Sequence, residues 1–136
     1  MDGASVATLI FLGLAAHEGF IGRQLAFRTR RTVEGAGLTY DEGNGLVVQE
    51  FGMYSLGIAV AYVIAAIDPA RCWAVALVGI AFNVSAGAMH LLRAGGLYLG
   101  DARPVMSRRF ERKAGVGHAL AVLALVITLP HLGLLS

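Results

Sequence analysis

Residues Leu46–Leu92 read LVVQEFGMYSLGIAVAYVIAAIDPARCWAVALVGIAFNVSAGAMHLL. Two apolar runs flank Asp68-Pro69-Ala70-Arg71. A membrane-spanning helix needs about 20 predominantly apolar residues, and each run is that long. Proline cannot continue a helix and turns the residue before it away from α geometry. The stretch therefore predicts a transmembrane helical hairpin with a tight turn.

Working outward, a third apolar run precedes this hairpin and a fourth follows it. The predicted spans are about 4–27, 46–67, 71–92 and 114–134, the third closed by Gly95-Gly96. Thr29–Asn44 predicts an ordered loop or a short interfacial helix. The expectation is an all-α single domain, a bundle of four transmembrane helices. Composition agrees: 57% of the 136 residues are hydrophobic and only 15% charged, with a mean hydropathy of +0.68. Soluble domains average about 45–50% apolar and about 25% charged residues. The Met1-Asp2-Gly3-Ala4 start lacks the basic region of a cleavable signal, so the first run is expected to remain as a span.

Charge sets the expected orientation. Arg23, Arg28, Arg30, Arg31, Arg93, Arg103, Arg108, Arg109, Arg112 and Lys113 fall at one end of the bundle; only Arg71 falls at the other. Cytoplasmic loops carry the excess of Lys and Arg, so ten of the eleven positive charges predict cytoplasmic basic loops, extracytoplasmic termini and a multi-pass plasma-membrane protein. Membrane topology accounts for the net charge of +2, and nucleic acid is not an expected partner. Membrane lipids are the expected partners, with further membrane subunits or a homo-oligomer as options. One cysteine, Cys72, excludes an intrachain disulfide and a multi-cysteine metal site.

Ionisable residues inside a span are costly and are functional candidates by default. With a rise of 1.5 Å per residue, Glu50, His90, His118 and Arg23 lie roughly 5–6 Å inside the basic boundary, and His17, Glu18 and Asn83 roughly 13–15 Å inside. Small residues mark packed faces of membrane helices. The stripes Glu50–Tyr54–Gly57–Ala61, Gly79–Asn83–Gly87–His90 and Gly115–His118–Ala121–Leu125 are therefore expected to face inward.

Several chemistries fit. Glu50, His90 and His118 form a candidate two-His-one-carboxylate set for a divalent metal, although no HExxH or ExxH motif is present. His17 with His90 or His118 can clamp a b-type haem. Glu18, Tyr54, Asn83 and a histidine can line a pocket for a quinone head group or a lipid. The bland alternative pairs Glu50 with Arg23, seats His90 beside them, and bonds His17 to Asn83. Arg108–Lys113 reads as a solvated basic flank. The function classes are a membrane-embedded binding or accessory subunit, an enzyme acting on a lipid or isoprenoid with Glu50 or a histidine as acid–base, and a purely structural subunit.

Gln49–Gly57 (QEFGMYSLG) and Phe82–His90 (FNVSAGAMH) resemble the small four-helix, DoxX-like membrane proteins of actinobacteria. Those proteins open their second span on an acid followed by glycine and tyrosine, and carry a polar residue and a histidine on the third. The resemblance covers about Asp41 to Leu92. It implies the architecture, marks Glu50, Asn83 and His90 as signature positions, and implies no particular reaction.

Overall fold

A computed structural model describes residues 2–98 and 106–132. The described elements are helices α1 (Gly3–Phe27), α2 (Thr29–Gly35), α3 (Glu42–Ile67), α4 (Trp73–Ala94) and α5 (Arg108–Thr128), with 3₁₀ turns at Pro69–Arg71 and Leu129–His131. Four helices are long and apolar enough to cross a membrane: Gly3–Phe27, Glu42–Ile67, Trp73–Ala94 and Arg108–His131. The shortest, α4, has 22 residues, about 33 Å of helix against a hydrocarbon core of about 30 Å.

Local chemistry sets the ends. Asp2 caps α1 by accepting from the Ser5 amide at 2.8 Å, a bond that holds its carboxyl below the usual carboxylate range. Asp41 and Asn44 form a reciprocal capping box on α3. Ser107 caps α5 by accepting from Phe110 N. Gly96, at φ +86°, takes the left-handed conformation that closes α4. Two boundaries differ from expectation. Thr29–Asn44 holds the short helix α2 and a loop, but α3 already starts at Glu42 on the Asp41–Asn44 capping box, four residues before the predicted Leu46. The Ser107 cap starts α5 at Arg108, six residues before the predicted Ala114, so Arg108–Lys113 is the first part of the helix.

The helices pack as two tight pairs, α1 with α3 and α4 with α5. Glycine makes both crossings close. A Cβ on Gly52 would strike the backbone nitrogen of Ala26, and one on Gly22 would come 2.8 Å from Gly52 O. Thr8 Oγ1 donates to Ala66 O at 3.1 Å and Gln49 Nε2 to Ala26 O at 3.2 Å, tying α1 to α3 at both ends. In the second pair, a Cβ on Gly115 would meet Leu91 at 2.7 Å, and one on Gly87 would meet His118 Cβ at 3.0 Å. The pairs join through a core of Ala7, Phe11, Tyr62, Ala65, Ala76 and Leu125, with Leu132. That core lies at the end holding the Pro69–Arg71 turn, where the His131 ring also rests against Gly3.

The crossing at Gly52 corrects one predicted face. Successive helical residues are about 100° apart, so Glu50 and Tyr54 each lie about 200° from Gly52. Both are exposed, Tyr54 at 68%. The inward face of α3 is instead Gly45, Gly52, Ala59, Tyr62 and Ala65. The predicted inward stripes of α4 and α5 are inward in the structure. Leu9, Phe20, Val60, Ile64, Val78 and Leu120 project outward on all four long helices, the surface expected of a protein solvated by lipid.

Candidate functional site

Two histidines meet at the α4–α5 crossing. Gly87 and Gly115 carry no side chains to hold the helices apart, so the imidazoles of His90 on α4 and His118 on α5 stack with centroids 5.5 Å apart and planes 12° apart. Each is tied by a partner on the opposite helix. His90 Nδ1 lies 2.5 Å from Oε2 of Glu111 on α5. His118 Nδ1 lies 2.7 Å from Oδ1 of Asn83 on α4. Phe82 packs edge-on to His118 with centroids 6.2 Å apart.

The bonds assign the protons. Asn83 Nδ2 donates to Gly79 O at 2.8 Å. That orients the amide, because a carbonyl oxygen only accepts. Asn83 Oδ1 is then an acceptor, and His118 donates to it from Nδ1. The Glu111 carboxylate likewise accepts from His90 Nδ1. In the neutral tautomer this leaves Nε2 of each ring as a bare acceptor. Among the described residues neither Nε2 has a hydrogen-bond partner, and neither is a buried orphan. Glu111 and Asn83 are themselves buried, at 4% and 3% exposure. The anchors are enclosed while the rings keep a reachable edge.

Tyr62 approaches this cluster from the other pair. The Tyr62 hydroxyl abuts Gly79, where a Cβ would lie 2.5 Å away. It is the one buried side-chain nitrogen or oxygen without a hydrogen-bond partner among the described residues. Glu18 is buried on α1, and its Oε1 lies 3.7 Å from Nδ1 of its neighbour His17, whose side chain is 54% exposed.

The structure thus unites Asn83, His90 and His118, and places Glu50 and Tyr54 elsewhere. Glu50 and Tyr54 line a shallow surface depression with Leu46, Gln49 and Met53, all on α3, so neither shares a site with the histidines. Among the described residues no group of three or more His, Cys, Asp or Glu side chains is placed to hold a metal ion, and the Glu50–His90–His118 set is not assembled. Glu50 makes no ion pair with Arg23 among the described residues; His90 pairs with Glu111 instead. No hydrogen bond or ring contact joins His17 to His90, His118 or Asn83 there. Asn83 takes its bond from His118 rather than from His17.

Glu111 was not among the sequence candidates. Its signal lay in the stripe Gly115–His118–Ala121–Leu125: one turn back from Gly115 is Glu111, on the same face. The surrounding Arg108, Arg109, Arg112 and Lys113 hid it in what looked like a solvated flank. Comparison of the chain with protein-family models, curated proteins and solved structures finds no match.

Proposed function

We propose that this chain is a multi-pass membrane protein that binds a membrane-dissolved amphiphile, holding its hydroxyl-bearing head at the His90–His118 pair. The observation that carries this is the double anchoring of the imidazoles. Each is fixed through Nδ1 to a buried partner on the facing helix, which leaves two Nε2 acceptors pre-set side by side. Preorganised acceptors of this kind favour hydrogen-bond donors, so a quinol-type head, with two hydroxyls, fits better than the corresponding carbonyl form. The clustering of Lys and Arg supports a plasma-membrane location with the basic end, and hence this site, toward the cytoplasm. The DoxX-like resemblance of Gln49–Gly57 and Phe82–His90 supports the same architecture.

The test uses the full chain in lipid nanodiscs, with methylhydroquinone and its dimethyl ether as probes. Methylhydroquinone binds, the ether does not, and His90→Ala or His118→Ala abolishes binding while the helical spectrum is kept. Equal binding of the two probes, or binding that survives removal of both imidazoles, would overturn the proposal.

The short Glu111–His90 contact also favours a membrane enzyme on a lipid or isoprenoid substrate, with Glu111 in the acid–base role first sought in Glu50. In that case Glu111→Gln stops turnover yet leaves probe binding in place.

A further inference from the structure

Beside the histidine pair, α3 and α4 flank an open-sided groove of about 290 Å³. Its walls are apolar throughout. The space exists because Ala61, Ala74 and Gly79 place little bulk between the two helices, while Val75 and Val78 shape its sides. Two residues connect it to the site above. Phe82 lines the groove and packs its ring against His118, so the groove begins where the polar cluster ends. Tyr62 also lines it, with its buried, unpartnered hydroxyl set against Gly79.

We infer that the groove seats a hydrocarbon chain of the same amphiphile; this rests on the head-group proposal above. Three observations carry it. The groove runs along α4 from Phe82 toward Ala74, away from the basic end, as a chain must run from a head held at His118. It is apolar, whereas the head site is polar. Its volume suits a chain: a methylene fills about the space of a water molecule, roughly 30 Å³, so the groove seats roughly ten carbons.

The experiment measures binding of methyl-, hexyl- and decylhydroquinone to the full chain in nanodiscs of fixed lipid, with partitioning into empty nanodiscs subtracted. Affinity rises from methyl to decyl in the wild-type protein. Ala61→Phe fills the groove, so decylhydroquinone weakens by about tenfold or more while methylhydroquinone is unchanged. Val78→Trp, at a residue already 70% exposed, gives the same selective loss and guards against a fold defect in Ala61→Phe. A photoreactive group at the end of the decyl chain labels Val75 or Val78. Equal affinity of all three probes, or a chain-length gain that persists in both variants, overturns the chain seat and leaves the head site standing. Failure of methylhydroquinone to bind the wild-type protein overturns both.

Discussion

A carboxylate 2.5 Å from an imidazole at a helix crossing is worth less in a membrane than its distance suggests. The dissociated helices also find partners for their polar groups, so interhelical hydrogen bonds there average about 0.6 kcal/mol and reach about 1.7 kcal/mol. A double-mutant cycle on Glu111→Ala and His90→Ala, read by reversible unfolding in mixed micelles, is expected to give a coupling within that range. A coupling near zero would mean that the pair does not form. Asn83 offers a sharper test, because its amide transmits an orientation from Gly79 O to the His118 ring. Asn83→Asp keeps an acceptor for His118 Nδ1 and loses the donor to Gly79. Asn83→Ala loses both. Imidazole nitrogen NMR is expected to show the Nδ1–H form of His118 in the wild-type and Asn83→Asp proteins and a mixture of tautomers in Asn83→Ala. A single unchanged tautomer in all three would detach the ring from Asn83.

Among the elements, glycines decide which faces meet. Gly52 and Gly57 look alike in the sequence, both within an apolar span. In the structure a Cβ at Gly52 collides with the backbone of α1, whereas one at Gly57 meets nothing within 4 Å. Gly52→Ala is expected to cost about 1–3 kcal/mol as an overpacked crossing. Gly57→Ala is expected to be neutral or stabilising by at most about 1 kcal/mol, through helix propensity. Thermal unfolding of the two variants in one detergent checks the contrast; equal shifts would refute the assigned crossing. The same pair explains what could be read in advance. Hydropathy and Pro69 revealed the long helices because lipid demands length and apolarity whatever the neighbours are. The inward faces of α4 and α5 were legible because polar and small residues share one stripe there. On α3 the stripe through Glu50 competed with the one through Gly52. Only knowledge of the partner helix could choose between them, and composition carries none. Glu111 was missed for a related reason: charge density marked a helix end, and the cap at Ser107 that draws this segment into the helix is a local bond invisible to hydropathy.

For the molecule as a whole, the two helix pairs are joined by the core around Phe11, Tyr62 and Leu125 at the turn end. Toward the basic end the close crossings lie within each pair, at Gly22–Gly52 and Gly87–Gly115. This division places the proposed head site at a crossing within one pair, next to the point where Tyr62 of the other pair abuts Gly79. Four spans also require the start of α1 and the end of α5 to lie on one side of the bilayer, with the Pro69–Arg71 turn beside them and the α2 loop opposite. That arrangement can be checked directly. In a Cys72→Ser background, single substitutions Asp2→Cys, Ala70→Cys and Thr39→Cys put reporters at three exposed positions. With intact cells and a membrane-impermeant maleimide, Asp2→Cys and Ala70→Cys are expected to label from outside, and Thr39→Cys only after permeabilisation. The inverse pattern would reverse the orientation drawn from the basic loops and move the His90–His118 site to the outer half of the bilayer. Labelling of Asp2→Cys and Ala70→Cys from opposite sides would break the four-span topology, because α1 and α3 together must bring the chain back to the side on which it began.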